Sequence, residues 1–315
     1  MANIVVMGEC MVEFSPTSQG YYKNGFAGDV YNTAVYVKRL LADKADVAIL
    51  TAVGNDNLST RMINAFEDEK INTVLIQQIA DKVPGAYLID ISSTGERSFS
   101  YWRDNSAAKS TMSVLDKKLQ EQIVSNTDVF YFSGISLAIL NNSDRELLWQ
   151  MLLALKSAGK QIVFDSNYRE KLWLCKSEAV EEFEKAFAMS DVVFAGMEDL
   201  DLLLGFKQTE EISSYLASFS IDELIIKNGE VNLLCISSQQ CQWVDIVAVD
   251  DVVDTTAAGD SFNAGYLSAR DNGLSVLDAA KFACRIAGFV IQQRGAIVDK
   301  ELFFAFKHIE LPGIT

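Results

Sequence analysis

The stretch DTTAAGDSF, residues 254 to 262, places small residues between two aspartates, directly before a run with helical periodicity. The apolar residues of that run are Phe262, Tyr266, Leu267 and Ala269. A helix start has unpaired backbone N–H groups and the positive end of the helix dipole, so residues 257–259 predict a site for a phosphoryl group. The same dipole is expected to keep Asp260 ionised, ready to accept a proton from a hydroxyl. The alternative is that Asp260 only complements the charge of a helix start.

A second stretch, GFAGDVYNTA at residues 25–34, groups a glycine, a carboxylate and an amide at another predicted helix start. Gly28 allows a close approach of the backbone, while Asp29 and Asn32 supply hydrogen-bond acceptors and donors. This combination suits a polyhydroxylated ligand, whose hydroxyl groups need both. A capped helix with Asp29 in its first turn is the competing interpretation.

The composition excludes several classes of function. The 315 residues carry 27 Lys and Arg against 43 Asp and Glu, a formal charge of −16, which argues against nucleic acid or an anionic membrane as a partner. The single histidine, His308, is expected at the surface, and no GxG pair, GxxxxGK[ST], HRD or DFG motif occurs. Five scattered cysteines without a CxxC pair, and a start without a basic leader, predict reduced thiols and a cytoplasmic location.

Apolar runs of strand length alternate with segments of helical periodicity along most of the chain, which predicts a three-layer α/β fold. The predicted parallel strands are short and bounded by glycine or polar residues: NIVVMGE, VAILTAVG, VFYFSG, QIVFDSN, DVVFAG and ELIIKNG. The chain has only three prolines and no linker-like tract, so residues 1–315 are expected to form one domain.

Two segments depart from this alternation and are candidates for a small β-sheet lid. Residues 85–105, GAYLIDISSTGERSFSYWRDN, alternate polar and apolar residues on both sides of STGE, which is typical of a hairpin. Residues 11–27 are irregular and rich in glycine and tyrosine. A hairpin inserted between α/β units can close over a site at the carboxyl edge of the sheet, although an ordinary surface hairpin fits the pattern as well.

The two helix-start motifs together resemble the signatures of the ribokinase-like (PfkB) family of carbohydrate kinases. The closer likeness is to those members that phosphorylate the sugar acid 2-keto-3-deoxygluconate. It is carried, in order, by GECMVEFSP, STGERSFSYWR, SGISLAIL, DSNYREKLW and DTTAAGDSF, and it extends from Gly8 to about Val298. The resemblance implies a ribokinase-like three-layer α/β/α sandwich with a small β-sheet lid, and a homo-oligomer formed through that lid.

The resemblance also implies roles for individual residues. Asp260 would be the catalytic base, beside an anion hole made by the N–H groups of Ala257, Ala258 and Gly259. The substrate would be held by Gly28, Asp29, Asn32, Tyr87 and Tyr101, and its carboxylate by Arg103 and Arg169. The nucleotide would be bound by Asn167, Lys227, Gly229 and Asp254, together with Ala257 and Gly259.

The chain departs from the family motifs at two positions. The second signature usually reads DTTGAGD, and Ala257 stands at its glycine, so no glycine-specific backbone angle is required there. In the NxxE motif, which tunes magnesium through ordered water, Glu198 is present but Ala195 replaces the asparagine. We therefore expect Mg²⁺ to arrive with ATP, with only an indirect contribution from Glu198.

The expected reaction is ATP-dependent phosphorylation of the C6 hydroxyl of 2-keto-3-deoxygluconate to its 6-phosphate. One alternative is the same chemistry on a neutral sugar such as fructose or ribose, which would give Arg103 and Arg169 no anion to bind. The other is a non-catalytic sugar-acid sensor, which would not need Asp260 or the small residues before it. A nicotinamide dehydrogenase is disfavoured because GxG is missing.

Overall fold

The structure is a computed structural model, and it describes residues 1–17, 19–91, 97–238 and 240–310, apart from the side chains of residues 308–310. Within these ranges the strands are β1 (Ala2–Met7), β2 (Met11–Pro16), β3 (Tyr22–Ala27), β4 (Ala45–Val53), β5 (Ile76–Gln78), β6 (Ala86–Ile91), β7 (Arg97–Trp102), β8 (Val129–Ser133), β9 (Gln161–Asp165), β10 (Val192–Gly196), β11 (Glu223–Asn228), β12 (Asn232–Ser237) and β13 (Gln240–Asp245). The α-helices are α1 (Asp29–Leu41), α2 (Asn57–Asp68), α3 (Lys117–Asn126), α4 (Gly134–Ile139), α5 (Asn142–Ser157), α6 (Lys176–Met189), α7 (Met197–Leu204), α8 (Thr209–Leu216), α9 (Ala258–Asp271), α10 (Val276–Val290) and α11 (Lys300–Glu310).

The described strands form one large sheet in the order β13-β12-β11-β10-β9-β8-β1-β4-β5. The seven strands from β11 to β5 run parallel, and β12 and β13 add an antiparallel edge. All six strands predicted from the apolar runs are present, as β1, β4, β8, β9, β10 and β11. They are parallel as predicted, because at least one helix lies in the chain between each of them and the next.

The two faces of this sheet carry two separate apolar cores. Side chains alternate between them along each strand, so Ile4 and Val6 of β1 join one core while Val5 and Met7 join the other. The first core contains residues of α1, α2, α9, α10 and α11, and the second contains residues of α3 to α8. The predicted three-layer α/β/α fold is therefore confirmed.

The order of the strands reverses between β1 and β8. After β1 the chain builds β4 and β5 on one side, and it then returns to place β8, β9, β10 and β11 on the other. Helical connections leave the carboxyl ends of β1 and β8 in opposite directions at such a point, which opens a crevice. Polar residues at the carboxyl edge of the sheet are therefore expected to meet there.

A second sheet is formed by the two segments that break the α/β alternation. Its order is β3-β2-β6-β7, with β2 parallel to β6 and the other neighbours antiparallel. Residues 11–27, the irregular candidate segment, contain the hairpin of β2 and β3, and residues 85–105 contain the predicted hairpin of β6 and β7. Its predicted turn, STGE at residues 93–96, lies outside the described residues. Over the described part of the chain, no helix has the length and apolarity needed to cross a membrane.

Candidate active site

Helix α9 begins as the sequence predicts, with small residues and without a side-chain cap. Its N-cap is Ala257, and the N–H of Ala258 donates to the carbonyl of Thr255 over 3.1 Å. The N–H groups of Ala257, Gly259 and Asp260 donate to no acceptor among the described residues. Of the three N–H groups predicted to form an anion hole, that of Ala258 is therefore already hydrogen-bonded within the loop. The N–H of Asp260, which was not part of the prediction, is free among the described residues.

Asp260 lies in the first turn of α9 and is 8 % exposed. Its Oδ2 accepts a hydrogen bond of 2.8 Å from Asn32 Nδ2, which connects the two motifs singled out in the sequence across 228 residues. Its Oδ1 accepts no hydrogen bond from the described residues. One carboxylate oxygen is thus fixed in place while the other is left to accept a proton.

The protonation of Asp260 differs from the expectation drawn from the helix dipole. Burial, reinforced by the carboxylates of Asp29 and Asp165, raises the pKa of Asp260 well above its ordinary value. The hydrogen bond from Asn32 and the charge of Lys227 act in the opposite direction but do not cancel this effect. The dipole of α9 alone therefore does not decide the charge of this group, because removal from water penalises the carboxylate form. A raised pKa makes Asp260 a stronger base once it has lost its proton.

Asp29, the first residue of α1, is the second carboxylate of the site. Its Oδ2 accepts hydrogen bonds from Ser133 Oγ at 2.5 Å and from Asn167 Nδ2 at 3.0 Å. Burial raises the pKa of Asp29, although the Ser133 hydrogen bond works to lower it. Gly28 provides the predicted close approach, since a Cβ there would lie 2.4 Å from the carbonyl oxygen of Glu9.

Lys227, at the carboxyl end of β11, is held beside the start of α9. Its Nζ donates to Asp165 Oδ1 at 2.9 Å and to Asn263 Oδ1 at 3.1 Å. A Cβ on Gly259 would lie 3.7 Å from this nitrogen. The ammonium group is thus a fixed positive charge close to the free N–H groups of α9, and together they could receive an anion.

Arg103 does not point a free guanidinium into the site. It forms an ion pair with Glu9, and the side chains of both residues are at least nine-tenths buried. Gly85 makes room for this pair, because a Cβ there would lie 2.6 Å from Glu9 Oε1. Of the two arginines predicted to bind a carboxylate, Arg103 is therefore already neutralised by the protein.

Arg169 is the more available of the two arginines, with 56 % of its side chain exposed. Its Nη1 donates to the carbonyl of Tyr168 at 2.9 Å and lies 3.6 Å from Asp199 Oδ1. Because this contact is long and the Arg169 side chain is solvated, the pair contributes little stability, and an incoming carboxylate can replace it.

The predicted tyrosines lie opposite each other on β6 and β7. Tyr87 pairs with Tyr101 in the register of the hairpin, and their ring centroids are 5.8 Å apart. Tyr87 is buried and its hydroxyl donates to Glu13 Oε2, whereas Tyr101 is exposed. Burial, together with the Glu13 carboxylate, raises the pKa of Tyr87. Of the two tyrosines, only Tyr101 therefore has exposed surface that a ligand could contact, although its ring also packs near Phe99 and Arg103.

The structure places three of the residues predicted to contact a nucleotide in different surroundings from one another. Asn167 donates to Asp29 and therefore lies near the polyol-binding motif. Gly229 lies in the turn after β11 with a φ of 57°, a left-handed conformation that favours glycine. Asp254 is buried and hydrogen-bonded, so it supports the loop before α9.

Glu198 is exposed in the first turn of α7, while Ala195, at the asparagine position of the motif, is fully buried in β10. The neighbouring Asp199 accepts a hydrogen bond from Ser166 Oγ at 2.6 Å, and burial raises its pKa. Among the described residues, no group of three or more His, Cys, Asp or Glu side chains could hold a metal ion. The assignment of Glu198 to a metal stays a prediction.

Sequence reasoning missed five residues that organise the site, namely Glu9, Arg97, Ser133, Asp165 and Asn263. Ser133 and Asp165 end predicted parallel strands, so the rule that sites form at the carboxyl edge could have found them. The partner of Arg97 lies 157 residues away, and no local pattern indicates that contact.

Comparisons with known proteins find relatives over most of the chain. Residues 1–301 match the family model described as "pfkB family carbohydrate kinase". A 2-dehydro-3-deoxygluconokinase of Dickeya dadantii is 40% identical over 304 residues, which cover 95% of this chain and 97% of that protein. 2-Dehydro-3-deoxygluconokinase is another name for a kinase of 2-keto-3-deoxygluconate.

Solved structures share the fold. A 2-dehydro-3-deoxygluconokinase from Thermotoga maritima aligns with a TM-score of 0.81 at 21% identity, covering 94% of each chain. A putative ribokinase II from E. coli, in complex with ATP and Mg²⁺, aligns with a TM-score of 0.82 at 21% identity, covering 97% of this chain and 99% of that one. At this level of identity the likeness establishes the ribokinase-like fold.

The buried charge of Asp260 has a consequence for stability. Because the pKa of Asp260 is raised in the folded protein, its ionised form costs stability at high pH, and the cost vanishes as the pH falls below the ordinary value. Asp260→Asn keeps an acceptor for Asn32 and removes the charge. It should raise the Tm of the ligand-free protein at about pH 8, and the gain should shrink toward about pH 5. Scanning calorimetry measures both values.

Asp254→Asn is the matched control, because its sign is opposite. Burial acts to raise the pKa of Asp254, but hydrogen bonds from Arg97 and Thr256 outweigh it and leave that pKa lowered. Its charge therefore stabilises the fold above the ordinary pKa, and the substitution should lower the Tm most at about pH 8. Shifts of the same sign in both variants would contradict the assignment of the two carboxylates.

Proposed function

The chain belongs to the pfkB family of carbohydrate kinases, and on that premise we propose that it transfers the γ-phosphoryl group of ATP to the C6 hydroxyl of 2-keto-3-deoxygluconate. The product is the 6-phosphate of the sugar acid, together with ADP. The observation that carries this proposal is the pairing of Asp260, with one free oxygen, and the uncapped start of α9. The curated relatives, which are 35–40% identical over most of the chain, support the substrate.

Asp260 is the general base of the proposed reaction. Its free Oδ1 accepts the proton of the C6 hydroxyl as the oxygen forms its bond to the γ-phosphorus. The bond between that phosphorus and the bridging oxygen breaks at the same time, and ADP leaves with the electron pair. Asn32 keeps the carboxylate oriented, because it binds the other oxygen.

The N–H groups of Ala257, Gly259 and Asp260 and the ammonium of Lys227 stabilise the charge of the transferring phosphoryl group. These donors are fixed before the substrate binds, so little reorganisation is needed during transfer. Magnesium, bound through the phosphates of ATP, supplies further positive charge at the same group. On the nucleotide side we retain Gly229 and Asn167 as contacts, and Asp254 as the support of the loop.

The sugar acid is held by polar residues on the other side of Asp260. Asp29 and Asn32 bind hydroxyl groups, and Tyr101 covers the ligand from the small sheet. Gly28 contributes by letting the start of α1 pack against the backbone of Glu9. Arg169 is the principal partner of the carboxylate, because its side chain is exposed and only weakly paired. Arg103 stays a predicted contact, with Glu9 offsetting its charge.

The neutral-sugar alternative is less well supported. Fructokinases among the relatives are 26–28% identical, compared with 40% for the 2-dehydro-3-deoxygluconokinase of Dickeya dadantii. A neutral sugar would also leave Arg169 without a partner of opposite charge. A non-catalytic sensor would have no use for the free oxygen of Asp260.

We further propose that the small sheet is a lid and that it mediates a homo-oligomer. Its strands carry exposed aromatic side chains, among them Tyr22, Phe99 and Trp102, which a partner surface would cover. Light scattering should give a mass of at least two chains, and the mass of a single chain would contradict this. A cytoplasmic location is consistent with the five cysteines, which are all free.

Release of ADP from ATP and Mg²⁺ tests the reaction, with 2-keto-3-deoxygluconate, fructose, ribose and buffer as parallel acceptors. The sugar acid alone should give turnover, and Asp260→Asn should lower kcat about 10²- to 10⁴-fold while ATP still binds. Equal turnover with a neutral sugar would reject the sugar acid as the specific substrate. Unchanged kcat in the variant would remove Asp260 as the base.

Arg169→Ala should raise the KM for the sugar acid about 10- to 100-fold, the usual effect of losing a charge-assisted hydrogen bond. The KM for ATP should stay within about twofold. Arg169→Lys is the control, since it keeps the charge but loses the bidentate geometry of the guanidinium. Its KM for the sugar acid should lie between those of Arg169→Ala and the wild type. Equal changes in both KM values would place this arginine outside the carboxylate site.

A further inference from the structure

The hairpin of β6 and β7 lies over the site, and an ion pair connects each of its ends to residues outside the small sheet. Near the base, Arg103 follows β7 and pairs with Glu9, which follows β1. At the other end, Arg97 begins β7, opposite Ile91, and pairs with Asp254. The strand between them has six residues, a span of about 20 Å at about 3.3 Å per residue. The first contact lies at the substrate side of the site, and the second lies beside the start of α9.

Arg97 makes several contacts with one short loop, residues 253–256. Its Nη1 donates to Asp254 Oδ1 and, at 3.0 Å, to Thr256 Oγ1. Its Nη2 lies 3.4 Å from the carbonyl oxygen of Val253, to which it donates. A guanidinium with this many partners on one loop restrains the loop as well as its own strand.

The restrained loop leads directly into the start of α9. Asp254 Oδ1 also accepts from the N–H of Thr256 at 3.0 Å and from its hydroxyl at 2.6 Å, and Oδ2 accepts from the N–H of Gly295 at 2.9 Å. The next residue is Ala257, the N-cap, which has no side-chain cap. The placement of the free N–H groups therefore depends on Asp254 rather than on a capping side chain.

We propose that Arg97 is a positioning residue that acts through Asp254, holding the loop 253–256 so that the free N–H groups of α9 face the phosphoryl group only when the small sheet covers the site. The proposal rests on the proposed phosphoryl transfer. It gives the small sheet a role in assembling the transfer site, besides excluding water. Arg97 itself need not touch the phosphate, since Nη1 and Nη2 both already donate to the loop.

A double-mutant cycle of Arg97→Met and Asp254→Asn tests this role. Methionine matches the length of the arginine side chain without its charge, and asparagine keeps the shape of the aspartate. Each single variant should lower kcat about 10- to 100-fold, the cost of a charge-assisted hydrogen bond, with the KM for the sugar acid within about twofold. The double variant should be no slower than the slower single variant, because both changes break one interaction. Arg97→Lys, which still offers a cation to Asp254, should recover part of the loss.

Hydrogen exchange provides a readout that does not depend on activity. In Arg97→Met, the peptides covering residues 253–261 should exchange faster. The loop is then less restrained, so the N–H groups of Thr256 and Ala258 leave their acceptors, Asp254 and Thr255, more often. Arg61→Ala is the matched control: Arg61, an exposed residue of α2, also contacts the small sheet, by donating to Asn24 Oδ1 at 3.0 Å, but does not touch this loop. It should leave the kcat and the exchange of residues 253–261 unchanged.

Two results would overturn the proposal. If the losses in kcat multiply in the double variant, Arg97 acts on its own, for example directly on the phosphate. If residues 253–261 exchange equally in wild type and Arg97→Met, the contact does not organise the loop. Should the wild type fail to turn over the sugar acid, the proposed function fails, and the exchange experiment still decides the role of Arg97.

Discussion

The site depends on the burial of three carboxylates at one edge of a parallel sheet. Asp29, Asp165 and Asp260 approach each other closely enough to raise the pKa of Asp29 and Asp260, and burying such charges is costly unless each has hydrogen-bond donors or a cation. The protein provides these individually: Ser133 and Asn167 for Asp29, Lys227 for Asp165, and Asn32 for Asp260. Each of the three also has one oxygen that accepts no hydrogen bond from the described residues. Asp260 differs from the other two in its place, because it lies in the first turn of α9, beside the free N–H groups of that helix start.

The fold explains why these groups meet. The strands that end in Ser133, Asp165 and Lys227 are parallel neighbours or near neighbours, so their last residues share one edge. The starts of α1 and α9 face the same edge from above, and they bring Asp29 and Asp260 to it from opposite parts of the chain. A helix start contributes free N–H groups only if nothing else caps it, which small residues at 257–259 ensure. Glycine at position 28 is required for a different reason, namely the contact with the backbone of Glu9.

The sequence predicts the architecture well because it repeats one local pattern. Apolar runs of strand length and helical periodicity depend only on neighbours in the chain. These two patterns correctly predicted six parallel strands and the start of α9. Contacts between distant parts of the chain could not be predicted in this way. The ion pairs of Arg97 with Asp254 and of Arg103 with Glu9 form only because the small sheet folds over the carboxyl edge of the large one. The same limit applies to charge: the dipole of α9 is visible in the sequence, whereas the burial that outweighs it for Asp260 exists only in the folded chain.

The chain has a formal charge of −16, and most of the cations in its site are paired with carboxylates of the protein. An unpaired cation buried beneath the small sheet would destabilise the empty protein, so Arg97, Arg103 and Lys227 each have a carboxylate partner. Backbone N–H groups do not have this drawback, because a neutral donor that faces a crevice can be hydrated and carries no net charge. On the proposed function, the phosphoryl group is therefore met mainly by backbone N–H groups and by Lys227, whose charge is balanced by Asp165. The sugar acid is then met by Arg169, whose charge is tolerated because 56 % of its side chain is exposed. This division follows from solvation, since neutral donors can be covered at less cost than an unpaired charge.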